Sequence, residues 1–215
     1  MCIRDRSQAV EGVVCISASE SVAVYLLPEV LRQLRDKAPG IVIDLVTSDA
    51  LSDLRRREAD IAVRHVRPEQ PDLIGRWIRE ASAGFYASKA WVAQNGHPRT
   101  AEEALRQRFV GSDRSGRYLA FLRQHGLPID AAHFACYAES TVSYGSLVRN
   151  GLGIGPMMDD IARTMPDVVR VLDEVPPVLF PIWLVTHREL RTARRIRLVF
   201  DFLAEALGAQ PPPER

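Results

Sequence analysis

The chain has 215 residues, of which 47% are hydrophobic and 26% are charged, and its formal net charge is +1. This composition is typical of a soluble globular protein, and the length allows one large domain or two lobes of about 100 residues each. A net charge so close to zero excludes a strong built-in field for nucleic acid or a membrane surface. No apolar stretch approaches the roughly 20 residues of a membrane span, and the charged start does not resemble a secretory signal.

The cysteines and the first residues bear on where the protein works. Cys2, Cys15 and Cys136 are odd in number and lack metal-ligand spacing, so we expect reduced thiols in the cytoplasm. The opening letters, MCIRDRS, have no periodicity and resemble translated sequencing-adapter read-through. We therefore expect the native gene to begin further upstream, which makes this chain a fragment with a non-native or disordered start over residues 1–11.

A strand, a hydroxyl-rich turn and a helix open the ordered chain. The apolar run Val13–Ile16 predicts a strand buried on both faces, and the turn Ser17–Ser21 follows it. Pro28 predicts a kink or break in the helix that comes next. The apolar face of that helix repeats every four residues, at Val22, Leu26, Val30 and Leu34. Because the first N–H groups of a helix are unpaired, this turn predicts half of a site for a small anion or carboxylate.

Two further strands complete a βαβαβ pattern. Ile41–Val46 reads as the second strand, a short helix carries Leu51 and Leu54, and Asp60–Val63 reads as the third strand. This order predicts a parallel sheet with right-handed crossovers, in which ligands bind outside the carboxyl ends of the strands. Those ends are Ser17–Ser21, Thr47–Ser48 and Arg64–His65.

The rest of the chain continues the α/β alternation. Further strands are predicted at Gly84–Ala87, Phe109–Gly111, Phe134–Ala138, Leu152–Pro156, Val168–Val171 and Ile182–Val185. Further helices are predicted at Ala101–Arg108 with a Thr100/Glu103 capping box, Tyr118–Gln124, Met158–Met165 and Arg194–Leu207, the last with Ile196, Val199, Phe202, Leu203 and Leu207 as its apolar stripe. A second hydroxyl-rich turn, Glu139–Ser143, precedes the helix Val142–Asn150, with Gly151 as its C′ residue.

Signals for catalysis, metal or cofactor binding are weak, so we expect no enzyme, no metal site and no cofactor. Gly151–Gly155 follows a helix and precedes a strand, whereas a dinucleotide loop needs the opposite order. The five histidines are scattered without a carboxylate or cysteine at ligand spacing, and no G-x-S-x-G nucleophile elbow occurs. Cys136 has no visible resolving partner, which argues against a redox sensor.

Five short motifs occur in order along the chain: Tyr25–Pro28 (YLLP), Ala59–Arg64 (ADIAVR), Tyr86–Ser88 (YAS), Leu147–Pro156 (LVRNGLGIGP) and Arg194–Leu203 (RRIRLVFDFL). Together they resemble the effector-binding domain of LysR-type transcriptional regulators, over roughly Gly12 to Leu207. The resemblance implies an α/β, two-lobe, type-2 periplasmic-binding-protein fold with two crossover strands. Lobe one would be 12–80 plus 178–208, lobe two 81–177, and 209–215 a disordered tail.

The same resemblance implies a function and its partners. A small-molecule effector, commonly a small organic acid, would bind in the cleft between the lobes. DNA would be bound only through a helix-turn-helix domain that precedes this one in the family and is missing here. Family members pair these domains, so a homo-oligomer is expected, without a membrane partner.

Six residues are candidate effector contacts. The resemblance implies such a role for Ser21, Thr47 and Arg64 in lobe one and for Ser140 and Thr141 in lobe two, and the first turn adds Ser19. Each has a structural alternative: the serines could be plain helix N-caps, and Arg64 could belong to a structural ion pair.

Two other functions share this fold. One is an exported solute-binding protein of a transporter, against which the missing signal peptide argues. The other is an enzyme, against which the missing acid/base or nucleophile constellation argues. The genomic sequence upstream of Ser7 would decide between a sensor and a solute-binding protein, since it would encode a helix-turn-helix or a signal peptide.

Overall fold

The computed structural model of the chain describes residues 10–48 and 59–209. The predicted helix at Leu51 and Leu54, most of the predicted non-native start and nearly all of the predicted tail lie outside these residues. The strands are β1 (Gly12–Ala18), β2 (Ile41–Thr47), β3 (Ile61–Arg64), β4 (Leu73–Ser88), β5 (Phe109–Gly111), β6 (Phe134–Tyr137), β7 (Gly155–Met158), β8 (Val168–Val171) and β9 (Val178–His187). The helices are α1 (Glu20–Tyr25), α2 (Leu27–Lys37), α3 (Lys89–Asn95), α4 (Ala101–Ala104), α5 (Arg117–Gln124), α6 (Thr141–Arg149), α7 (Asp159–Ala162) and α8 (Arg194–Gly208).

The chain divides into two compact units. Of the described residues, the first unit contains those up to Glu80 and those from Phe180 onward, and the second contains Ala81–Leu179. Two strands, β4 and β9, run through these boundaries, so the chain passes between the units within regular strands.

The first unit is built on a sheet in the order β2-β1-β3-β9. β1 pairs in parallel with both β2 and β3, and β9 runs antiparallel to β3. The parallel pattern predicted for the first three strands is therefore confirmed. The fully buried side chains of this unit include Ile16, Leu27, Leu34, Ile61 and Phe200.

The predicted break in the first helix is confirmed. α1 ends at Tyr25 and α2 begins at Leu27, with Pro28 in the first turn of α2, where the missing proline N–H costs no hydrogen bond. Val30 and Leu34 point into the core from α2, as the four-residue spacing predicts.

The last helix buries a slightly different face from the predicted one. Ile196, Val199, Leu203 and Leu207 are buried as predicted, but Phe200 fills the core in place of Phe202. Phe202 is half-buried, and the Lys37 ammonium of α2 lies 4.9 Å from its ring centroid. Phe200 follows Ile196 by four residues and precedes Leu203 by three, so it lies on the buried stripe, whereas Phe202 lies beside the stripe.

The second unit combines antiparallel and parallel pairing. The second half of β4 pairs antiparallel with β7 and with β8, while β5 and β6 form a separate parallel pair. Its core is one apolar cluster whose largest members are Phe85, Trp91, Phe109, Leu122, Leu127, Ile129 and Ile154.

Several predicted boundaries in this half of the chain are wrong by a few residues. β4 is one continuous strand of 16 residues, whereas the sequence predicts a loop over 66–80 that leads into a connecting strand and then a separate strand at Gly84–Ala87. β7 begins at Gly155 instead of Leu152. The predicted capping box of Thr100 and Glu103 is confirmed, but α4 ends at Ala104 because the following N–H groups bond three residues back in tighter turns.

Candidate functional site

The carboxyl ends of three parallel strands meet at one edge of the first-unit sheet. Ala18, the last residue of β1, is in register with Thr47, the last residue of β2, and the Ser48 N–H donates to the Ala18 carbonyl at 2.8 Å. On the other side of β1, Ser17 is in register with Ala62 of β3, two residues before Arg64. The structure thus brings together the candidate residues of the first unit along this edge.

The two candidate serines stand at the start of α1. Ser19 is the N-cap residue, in an extended conformation, but its side chain makes no capping hydrogen bond. Its Oγ lies 3.4 Å from the Ser21 Oγ, and Ser21 is half-buried while Ser19 is buried. Because α1 has only six residues, its dipole is small. The hydroxyls of Ser19 and Ser21 are therefore the main polar groups that this turn offers to a ligand.

Arg64 is anchored on the neighbouring strand. It is 4% exposed, and its guanidinium donates to the Ser17 Oγ at 2.8 Å, to the Ser17 carbonyl at 3.3 Å and to the Val63 carbonyl at 2.9 Å. These contacts fix a permanent positive charge at the carboxyl end of β1 and β3. The sequence predicts Ser17 only as part of a polar turn. It does not predict that Ser17 accepts hydrogen bonds from Arg64, because the two residues are 47 positions apart.

Ser140 and Thr141 open α6 in the second unit. Ser140 is the N-cap residue, and its Oγ accepts a hydrogen bond from the Ser143 N–H at 3.2 Å. Thr141 is the first helical residue and is exposed, as Thr47 is in the first unit. The helix starts one residue earlier than predicted, and Gly151, with φ of 78°, follows its end as expected.

A buried carboxylate network in the second unit was not found from the sequence. Asp159, 4% exposed, accepts hydrogen bonds from the Ser82 hydroxyl and, at 2.7 Å, from the Tyr86 hydroxyl, and its Oδ2 lies 3.8 Å from an Arg170 nitrogen. Burial, followed by the bond to Asp159, raises the pKa of Tyr86. The four residues come from β4, α7 and β8, so no local spacing indicates the network.

Two tyrosine hydroxyls also pair in this unit. The hydroxyl oxygens of Tyr118 and Tyr144 are 2.8 Å apart, which joins α5 to α6. Burial raises the pKa of both hydroxyls. Tyr144 has room for its hydroxyl only because residue 155 is glycine.

The two cysteines in the described part of the chain, Cys15 and Cys136, show no sign of activation. Burial is the main cause that raises the pKa of both Cys15 and Cys136, and Asp44 and Asp60 raise that of Cys15 further. Within the described residues neither of these two cysteines forms a disulfide, and the raised pKa keeps both thiols protonated near neutral pH.

The described residues contain neither a metal-binding cluster nor a membrane-spanning helix. Residues 10–48 and 59–209 contain no group of three His, Cys, Asp or Glu side chains that could hold a metal ion. None of the helices in these ranges is long and apolar enough to cross a membrane.

Comparison with known proteins shows similarity to one family and to transcriptional regulators. The family model described as LysR substrate binding domain matches residues 7–208. The HTH-type transcriptional regulator CrgA of Neisseria meningitidis serogroup C is 26% identical over 206 residues, which span 92% of this chain and 68% of that protein.

Solved structures agree with the sequence match. The CrgA regulatory domain, from a LysR-type transcriptional regulator of Neisseria meningitidis, superposes with a TM-score of 0.79 at 23% identity, over 93% of this chain and 100% of that one. The AmpR effector binding domain from Citrobacter freundii gives a TM-score of 0.73 at 15% identity, over 93% and 100%. The predicted α/β, periplasmic-binding-protein-like fold class is confirmed. The chain therefore belongs to the LysR substrate-binding domain family.

Proposed function

We propose that this chain is the effector-sensing part of a cytoplasmic LysR-type transcriptional regulator, and not an enzyme. Its effector is a small metabolite, and DNA is bound through a separate helix-turn-helix domain of the whole regulator. The observation that carries the proposal is the shared edge at the carboxyl ends of β1, β2 and β3, where hydroxyls and one buried guanidinium converge. Membership of the LysR family favours this function over an exported solute-binding protein.

Polar contacts to the effector come from residues at this edge and from the start of α6. Ser19, Ser21 and Thr47 offer hydroxyls that can donate or accept, Arg64 offers a positive charge, and Ser140 and Thr141 offer further hydroxyls. An effector that contacts the residues of both units has a higher affinity for the conformation in which both groups of residues can reach it. That difference in affinity shifts the population of the protein toward this conformation. The positive charge of Arg64 supports an effector that is a small organic acid.

A metabolite screen tests the function. The purified chain is heated with single metabolites, organic acids included, and a ligand that binds the folded state raises the unfolding temperature with its concentration. We expect at least one organic acid to do so. If no metabolite shifts the unfolding temperature at millimolar concentration, the sensor function is wrong for this chain.

Substitution of two hydroxyls tests the contacts. Ser21→Ala and Thr141→Ala should each weaken the affinity for a metabolite found in that screen about three- to tenfold, the worth of one neutral hydrogen bond. Stability should change little, because Ser21 is half-buried and Thr141 is exposed. Isothermal titration calorimetry measures the affinity, with Ser146→Ala on the exposed side of α6 as the matched control. Unchanged affinity in both variants would refute these two contacts.

A further inference from the structure

One buried hydrogen-bond donor of the first unit lacks an acceptor. Trp183 lies in β9, and its indole Nε1–H is shielded from solvent with no hydrogen-bond partner in the part of the chain that the structure describes. Buried donors in folded proteins are nearly always paired, because an unpaired donor has lost its bonds to water without replacement. A phenylalanine would supply an apolar aromatic ring at this position without that loss, so the indole N–H needs its own explanation.

Trp183 stands directly opposite Arg64 on the neighbouring strand. It is in register with Arg64 across the antiparallel pair of β3 and β9, as Val185 is with Ala62. Directly opposed residues in an antiparallel pair project to the same face of the sheet, with their Cβ atoms about 5 Å apart. The unpaired donor and the guanidinium therefore share one face, at the carboxyl end of β3.

The indole ring is held in place by its neighbours. A Cβ atom at position 75 would come within 3.3 Å of the Trp183 ring and 2.5 Å of Pro68, so only glycine fits there. The guanidinium of Arg67 lies over the indole at 6.0 Å from its centroid. Gly75 belongs to β4 and not to the connection that contains Arg67 and Pro68, so this side of the ring is held before any ligand arrives, which lowers the entropy cost of using the N–H.

The segment that packs against the ring has an unpaired polar atom of its own. Arg67, Pro68 and Gln70 belong to the connection between β3 and β4, and the Gln70 Oε1 is a buried acceptor without a partner in the described ranges. A buried acceptor and a buried donor are both unsatisfied in this region. Movement of the connection would relieve both costs, since it would expose the Gln70 amide to water and open the Trp183 N–H to a ligand.

We propose that Trp183 is a specificity-determining residue of the effector site, which donates its Nε1–H to an oxygen of a small oxyanion bound beside Arg64. The oxyanion is a carboxylate in the first instance, and the connection between β3 and β4 moves to admit it. This inference rests on the proposed sensor function. A ligand with no acceptor at this point gains nothing from the donor, so the site favours a ligand that carries an oxygen there.

Indole N–H resonances of the ¹⁵N-labelled chain test the proposal directly. The three tryptophans give three indole signals, which Trp77→Phe and Trp183→Phe assign by removal. The chain is titrated with sodium acetate, lactate and benzoate as probes. We expect a carboxylate to move the Trp183 signal downfield, as a new hydrogen bond to a charged oxygen does, while the signal of the exposed Trp77 stays in place.

Affinity gives the second readout. Trp183→Phe keeps the aromatic plane and should weaken the bound carboxylate about tenfold or more, the worth of a hydrogen bond to a charged group. Trp77→Phe, in the same unit, should leave the affinity unchanged. If Trp183→Phe fails to fold, the carboxylate titration of the unsubstituted ¹⁵N-labelled chain still tests the proposal.

Two results would overturn the inference. In one, a carboxylate binds and moves the amide signals of Ser21 and Thr47 but leaves the Trp183 indole signal unmoved; the sensor function would then stand without this donor. In the other, none of the three carboxylates moves the Trp183 signal even at high concentration. A failure of the sensor function can be told apart from a failure of this inference. If the sensor function is wrong, no metabolite in the thermal screen raises the unfolding temperature.

Discussion

At the scale of single residues, Arg64 and Ser17 form the best-defined feature of the candidate site. The guanidinium is buried and uses both the hydroxyl and the carbonyl of Ser17, so β1 and β3 are joined by side-chain as well as backbone bonds. A buried charge needs such hydrogen bonds, because burial removes its hydration. Ser17 is therefore a support for the charge, whereas the Ser19 hydroxyl makes no capping bond to α1 and lies 3.4 Å from the Ser21 hydroxyl.

Alanine substitution at these two serines should separate the roles. Ser17→Ala removes one acceptor from the buried guanidinium and should lower the free energy of unfolding by about 1.5–3 kcal/mol. Ser19→Ala, the matched control in the same turn, should cost less than about 1 kcal/mol because Ser19 makes no capping bond. Urea unfolding followed by circular dichroism measures both. Equal losses would contradict the supporting role of Ser17.

At the scale of elements, the packing of α6 on β7 depends on one missing side chain. A Cβ atom at Gly155 would overlap the Tyr144 hydroxyl and would lie 2.8 Å from the Val148 side chain, so β7 approaches α6 closely only with glycine. The Tyr144 hydroxyl in turn pairs with that of Tyr118 on α5. This contact sets the position of the helix that begins with Ser140 and Thr141.

Gly155→Ala should therefore lower the free energy of unfolding by about 1–3 kcal/mol, as overpacking of a core does. Gly208→Ala is the control, because its Cβ would lie 3.7 Å from the nearest atom, an ordinary contact, and alanine favours the helix by up to about 1 kcal/mol. Thermal unfolding of both variants is compared with the parent chain. A Gly155→Ala chain as stable as the parent would show that α6 can shift without cost.

At the scale of the whole molecule, buried hydroxyls make the fold sensitive to alkaline pH. Burial raises the pKa of Tyr86, Tyr118 and Tyr144 above the value of about 10 that tyrosine has in an unfolded chain. Above that pH the unfolded chain releases protons that the folded chain retains, so the unfolded state is favoured. The stability contribution is complete below about pH 10 and is lost as the pH rises further.

The alkaline loss can be assigned by a double variant. The test is made in a Cys15→Ala/Cys136→Ala background, because burial also raises the pKa of these two thiols and they would add to the alkaline loss of stability. In this background the free energy of unfolding should fall between about pH 9 and pH 11. Tyr118→Phe/Tyr144→Phe should make this fall smaller, since phenylalanine has no proton to release. Urea unfolding at several pH values gives the slope. An unchanged slope in the double variant would contradict the role of these hydroxyls.

The amino-acid sequence by itself determined the local features of this protein. The helix break at Pro28, the Thr100 capping box and each family motif depend on residues near one another along the chain, where spacing and propensity act directly. The parallel pairing of the first strands follows from the alternation of strands and helices along the chain. Only the tertiary structure decided the contacts between distant residues. Ser17 supports Arg64 from 47 positions away, Asp159 meets Tyr86 from 73, and Trp183 stands beside Arg64 through β9. Such contacts arise because strand pairing and burial bring together residues that no pattern along the chain relates.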